Sequence, residues 1–351
     1  MLEELVEQYR TVETELIKLI FKKVLEGKDI SYLANQLAMM SGIGEVNTLV
    51  RTLEEGSEEK VLKLLRGEKP DLSDVIQAYE EGVINIDPLK LNTTLEGILL
   101  AKSKDLDNGL SVIRSSINEA FRKEYNTVLT KAYIESLSGA YSYDESIRRA
   151  VRDLSDRGIR VAEYVREDGS VVNYNIESAV RRTLLTEMGD TANELQMGII
   201  EELDCELVYV SQHIGARVTK YLDFTNHAHW QGRVYSRFGK KGKYEDFYAE
   251  TGYGQIQGLK GVNCRHFVYP YFEGISDKPP KRIPMEANRE VYGLNQEYNR
   301  LTRAYKKYKR RYEVFGEDKD RKRATSYSKA RVVVRNRLKE VEQEWALKGV
   351  V

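Results

Sequence analysis

The stretch RVAEYVREDGSVVNYN, residues 160–175, decides the fold class of this chain. Apolar and polar residues alternate on both sides of Asp168–Gly169. An Asp-Gly pair between two alternating runs predicts a β-hairpin. Everything upstream has helical periodicity. SYDESIRRAVRDLSDRG, residues 142–158, predicts a helix ending at Gly158. Residues 92–137 carry an apolar stripe through Leu95, Leu99, Leu106, Leu110, Ile113, Ile117, Phe121, Val128, Ala132 and Leu137. They predict a long helix broken at Asp107–Gly109, because DNG favours a turn. Residues 2–25 repeat Leu2, Leu5, Tyr9, Val12, Leu16, Leu19, Ile20 and Val24 at helical spacing, with Gly27 as a stop. Between them, short helices are expected around Gly42, Gly44, Gly56 and Gly67. Asp71 or Ser73 is expected to cap the next helix, and Pro88 to mark a further break.

Downstream of the hairpin, residues 176–202 are helical and ELVYVSQ, residues 206–212, is a short strand leading into His213. From Pro284 the pattern is helical again. Leu294, Tyr298, Leu301, Tyr305, Tyr308, Tyr312 and Phe315 alternate spacings of four and three, a heptad-like seam. GEDKD, residues 316–320, predicts a turn, with Ser328–Leu347 returning as a second helix. The chain is therefore expected to be α+β. A mostly helical domain spans 1–140, a small central α+β domain with the hairpin spans 141–283, and a basic helical hairpin spans 284–351.

Composition narrows the class. The chain has 351 residues, 41% hydrophobic and 31% charged, which suits long helices around a modest core. No apolar run approaches the roughly 18 residues that span a bilayer. The acidic, amphipathic N-terminal segment reads as a helix rather than a signal peptide. Two cysteines, Cys205 and Cys264, make no disulfide framework beyond one conceivable bridge, so a reducing compartment is the default. Net charge is zero but unevenly spread: residues 1–100 carry 19 acidic and 11 basic side chains, residues 284–340 carry 8 and 17. The tail clusters Lys306, Lys307, Lys309, Arg310 and Arg311, then Lys319, Arg321, Lys322 and Arg323. With its tyrosines on the seam, the tail offers a cationic face for backbone phosphates without sequence reading. The plainer alternative is a solvated helical face or an acidic protein partner.

The residues able to do chemistry concentrate between His227 and Gly274. HAHWQGRVYSRFG (227–239) and GYGQIQGLKGVNCRHFVYPYFEG (252–274) hold three of the four histidines and one cysteine. His227-x-His229 and Cys264-x-His266 together offer the four donors of a structural zinc. Their two-residue spacings, however, strain a tetrahedral site unless the backbone turns. The plainer reading has no cofactor: a buried Cys264 and hydrogen-bonded histidines tie loops to a small sheet. Cys264 beside His227 or His266, with Arg265 favouring the thiolate, would make a nucleophile. His213, Arg217, His227 and His266 would serve a nuclease or phosphodiesterase as acid, base and phosphate clamp. GYGQIQG lacks the strand-loop-helix context of a phosphate loop and reads as a turn.

Taken in order, four motifs resemble the phage minor capsid protein 2 family, akin to the Mu F-like head morphogenesis proteins. They are RRTLLTE (Arg181–Glu187), VYVSQHIGAR (Val208–Arg217), HAHWQGRVYS (His227–Ser236) and GLKGVNCRHFVYPYFEGIS (Gly258–Ser276). The family's histidine falls on His227 or, two residues on, His229. Its Trp-Gln-Gly falls on Trp230, Gln231 and Gly232, and its Asn-Cys-Arg-His on Asn263, Cys264, Arg265 and His266. His213, Gly215 and Arg217 match its upstream part. The resemblance implies a structural, non-enzymatic minor head protein of the virion. Such a protein joins the capsid in the host cytoplasm during assembly and associates with the portal or the major capsid protein on the inner side. It also contacts packaged DNA.

Overall fold

The computed structural model describes the chain except residues 27–31, 68–69, 86–87, 140, 166–168, 262–263 and 348–351, and omits the side chains of 32–37, 88–89, 164 and 347. Gly27, Asp168 and Asn263, each given a role above, lie outside the described residues or side chains. The chain is α+β, as its periodicities predict. It forms two compact units, each assembled from separated segments: residues 1–64, 103–186 and 303–328 in the first, and 65–102, 187–302 and 329–351 in the second.

The first unit is built around α1 (Leu2–Glu26), which packs against α2 (Tyr32–Glu54); α3 (Ser57–Arg66) follows α2 in sequence. The predicted stripe is its buried face: Leu5, Tyr9, Val12, Leu16, Leu19, Ile20 and Val24 are all buried. Gly42 and Gly44 do not interrupt α2. At Gly42 the missing Cβ admits the ring of Phe121, so tertiary packing overrides the weak helix propensity of glycine. After α4 (Ser73–Glu80), α5 (Pro88–Leu137) runs as one helix of 50 residues, and Pro88 occupies its first position, where no amide hydrogen is needed.

The expected break at Asp107–Gly109 is absent. Asp107 accepts hydrogen bonds from Ser57 Oγ at 2.8 Å and Arg114 Nη2 at 3.3 Å, and a Cβ on Gly109 would lie 3.1 Å from Thr183. These residues serve packing within the unit instead of making a turn.

Helix α6 (Tyr143–Arg157) starts at Ser142, whose hydroxyl accepts from the Glu145 amide, and ends at Gly158 as predicted. Gly158 has φ +75°, and any Cβ there would overlap the Glu13 carboxylate. Only glycine satisfies both demands. The hairpin follows: β1 (Arg160–Val165) pairs antiparallel with β2 (Val171–Asn175), with a register irregularity between Arg160 and Ala162.

Helix α7 (Ile176–Glu202) leads into the second unit. There β3 (Leu207–Val210) is the central strand of an antiparallel sheet of order β4-β3-β5, with α8 (His227–Trp230) before β4 (Val234–Ser236) and α9 (Phe247–Thr251) before β5 (Val268–Pro270). The tail is the predicted helical pair, α10 (Met285–Phe315) and α11 (Asp318–Leu347). The turn is shorter than GEDKD suggests: α11 begins ten residues before Ser328, and Gly316, at φ +68°, reverses the chain. Buried residues on α11 fall at Asp320, Ala324, Val334, Leu338 and Val341, a heptad-like seam. In the first unit Tyr308 stacks on Tyr327 at 5.6 Å; in the second, Arg331 donates to Tyr298 and Arg337 to Glu290. Among the described residues no helix is long and apolar enough to cross a membrane.

Candidate functional site

The sheet of the second unit carries the cluster that the sequence singles out. β3 delivers the chain to His213, β4 is preceded by Trp230, Gln231 and Gly232, and β5 is preceded by Cys264 and His266. Side chains bond loop to loop around Trp230. The Trp230 indole donates to Phe224 O at 2.9 Å, and the Tyr235 hydroxyl donates to Trp230 O at 2.6 Å. Asn226, fully buried, donates to Thr219 O and Tyr221 O. The glycine-rich segment is a tight knot and not a phosphate cradle. Leu259 N donates to Thr251 O, Gly254 N to Leu259 O, and a Cβ on Gly258 would overlap the Gly252 carbonyl.

Three histidine rings meet here. His266 lies 4.5 Å from His213 and 5.4 Å from His227, centroid to centroid, and both His227 and His266 lie 4.7 Å from Trp230. His266 Nε2 donates to Gln231 Oε1 at 2.9 Å, and the same oxygen accepts the His213 amide at 3.0 Å. That leaves His266 Nδ1 to face the Cys264 thiol at 3.5 Å. His227 Nε2 donates to Gln257 O at 2.9 Å, and Arg217 donates to the same carbonyl at 3.1 Å.

Burial lowers the His227 pKa to about 4, with the Gln257 carbonyl opposing it and the Arg217 charge adding to it. Burial also lowers His266, well below the ordinary range, and His213. The imidazoles are therefore neutral. Burial pushes the Cys264 thiol up, opposite to what an activated nucleophile needs. Cys205 and Cys264 are both free thiols.

Of the sequence's metal candidates, His227, Cys264 and His266 come together, each offering a donor atom within 4.8 Å of the others; His229 is not in this group, and its carbonyl accepts from Arg282. Arg265 is exposed. Asn263 lies outside the described residues. Sequence reasoning missed Gln257, which acts through its carbonyl and carries no side-chain signal, and it missed that Gln231 is the shared acceptor between His213 and His266.

The basic tail divides into two sets. On α10, Lys306 pairs with Glu177, Lys307 and Arg311 with Asp156, Lys309 with Glu7 and Glu313, and Arg310 with Glu13. At the start of α11, the side chains of Arg321 and Lys322 are 58% and 78% exposed and pair with Asp318, exposed Lys319 pairs with Glu317, and exposed Arg323 lies over the Tyr308 ring.

The family profile of phage minor capsid protein 2 matches residues 1–341. The chain belongs to that family, a class of phage structural proteins. It is 24% identical over 244 residues to a structural protein of Lactococcus phage LL-H, a match covering 65% of this chain and 62% of that one. It is 34% identical over 77 residues to a structural protein of Lactococcus phage mv4, covering 21% of this chain and 62% of that one. The matches thus span less than two thirds of either relative's length. No solved structure matches the chain.

Proposed function

We propose that this protein is a minor component of the phage head that stands between the protein shell and the DNA and works by binding, not by catalysis. Membership of the minor capsid family carries this reading. The segment 1–140 docks on the portal or on the major capsid protein, the segment 141–283 is the family's head domain, and the hairpin 284–351 carries the DNA-facing surface. Docking is supported by Tyr133, Ile134 and Leu137, large side chains exposed near the end of α5. Contact with packaged DNA is supported by exposed Lys319, Arg321, Lys322 and Arg323; the ion pairs of the first three are surface pairs of small energetic worth. Phosphates can replace those partners at little cost.

The alternative, a genome-delivered phosphodiesterase using His213, Arg217, His227 and His266, has less support. Its two central histidines are 2% and 1% exposed, and each commits a ring nitrogen to an internal acceptor.

The deciding experiment is mass spectrometry of purified virions with cross-linking. The expected result is the protein in DNA-filled heads, joined to portal or major capsid protein. Its absence from virions would overturn the reading.

A further inference from the structure

We propose that His227, Cys264 and His266 form a binding site for zinc, with one thiolate and two imidazole donors. The site lies wholly within the second unit. Three observations carry it. First, the three residues each place a donor atom within 4.8 Å of the other two. Second, Cys264 Sγ and His266 Nδ1 are 3.5 Å apart. A zinc ion holding sulfur at about 2.3 Å and nitrogen at about 2.0–2.1 Å, at a tetrahedral angle, spans a sulfur–nitrogen edge of about 3.5 Å.

Third, each histidine has its Nε2 committed to a fixed protein acceptor. His227 Nε2–H donates to the Gln257 carbonyl and His266 Nε2–H to Gln231 Oε1. A fixed acceptor on one ring nitrogen is the arrangement that sets the tautomer of a metal-ligating histidine. It leaves Nδ1 of both rings as the lone-pair nitrogen.

The two-residue spacing of Cys264 and His266 strains a site only on a flat strand. Here neither residue lies on a strand, since β5 begins only at Val268. A thiolate with two imidazoles is a borderline-soft set, which favours zinc over calcium or magnesium. On binding, the Cys264 Sγ–H bond breaks, its proton leaves to solvent and an Sγ–zinc bond forms, with no change of oxidation state. His266 Nδ1 then gives the metal the lone pair that faces the thiol in the metal-free chain. Three protein donors leave one tetrahedral position for water or another ligand. The metal would fasten the start of α8 to the segment before β5, two of the four stretches that carry the family motifs.

The test uses the full chain, purified without chelator. Elemental analysis should find about one zinc per chain in the wild type and in Cys205→Ser, and less than about a tenth of that in Cys264→Ala and His266→Gln. If those two variants do not fold, the wild type decides alone. Cobalt(II) added to the metal-free chain should produce a thiolate-to-cobalt charge-transfer band. In a Trp345→Phe background it should quench Trp230, whose ring lies 4.7 Å from both histidines. A folded wild-type chain that takes up neither zinc nor cobalt, or a folded Cys264→Ala chain that keeps its metal, would overturn the proposal.

Discussion

The carboxylate of Glu13 in α1 and the guanidinium of Arg310 in α10 meet at 3.0 Å, 297 residues apart in sequence, with side chains 0% and 5% exposed. Glu13 also accepts the Ile159 amide at 2.8 Å, and Arg310 donates to Ser155 O at 3.2 Å. One ion pair therefore ties the first helix, the α6–β1 junction and the tail together inside the first unit. Burial opposes charging Glu13, raising its pKa, and the Arg310 charge opposes that rise.

Removing Arg310 leaves the Glu13 carboxylate buried without its cation, at a cost of about 3–5 kcal/mol, and removing Glu13 leaves Arg310 only the more distant Glu177 carboxylate at 3.8 Å. Glu13→Ala and Arg310→Ala should each shift the urea midpoint accordingly. The double change Glu13→Leu with Arg310→Met should cost much less than the two single changes summed. Equal, additive losses would show that the two groups do not act as a pair.

Gly158 is fixed by the same contact. Its backbone, at φ +75° and ψ 178°, lies in a region that is essentially glycine's alone and costs any other L-residue about 1–3 kcal/mol, and a Cβ would also displace the Glu13 carboxylate. Gly158→Ala should therefore destabilise the chain by more than that strain alone, read from urea unfolding. In a Glu13→Ala background the excess should shrink without vanishing, because the added Cβ still meets Asn175 Nδ2 at 2.5 Å and Asn175 Cβ at 2.8 Å.

Acid should loosen the first unit. A hydrogen bond from Arg10 holds the Glu7 carboxyl below its ordinary 4.5, Arg181 does the same for Glu3, and Lys319 and Arg152 for Glu317. A carboxylate lowered in the folded state contributes stability that is present above its ordinary value and lost as pH falls through its folded value. Stability should hold from pH 7 down to about 4.5 on account of these groups and then decline. Arg181→Gln should flatten that decline slightly, because Glu3 is largely exposed and its pair is screened.

How much of this was legible in the sequence depends on range. Local patterns identified the elements: the stripe of α1, the stop at Gly158, the hairpin around Gly169 and the paired tail helices all follow from spacing and turn chemistry. Errors arose where distant residues intervene. Asp107–Gly109 reads as a turn until Ser57, Arg114 and Thr183 are placed beside it. The α10 cations read as one basic face because Lys306, Lys307, Lys309, Arg310 and Arg311 surround the helix, and no local pattern shows that Glu13, Asp156 and Glu177 lie against them. At the site, the motif residues Trp230, Gln231, Cys264 and His266 were visible by type. Which histidine joins Cys264, and the part played by the Gln257 carbonyl, depend on loop paths that spacing does not encode.

The division of the tail cations gives the most direct test of the account. Binding of the full chain to duplex DNA should be measured across salt concentration for the wild type and for two sets of Gln substitutions. One set replaces Lys319, Arg321, Lys322 and Arg323; the other replaces Lys306 and Lys307, whose partners are Glu177 and Asp156. Each phosphate contact contributes about 0.9 to the slope of log affinity against log salt. The α11 set should flatten the slope by up to roughly 3.6 and weaken binding, while the α10 set should leave the slope nearly unchanged and lower stability. A wild type without salt-sensitive DNA binding, or equal loss from both sets, would contradict the account.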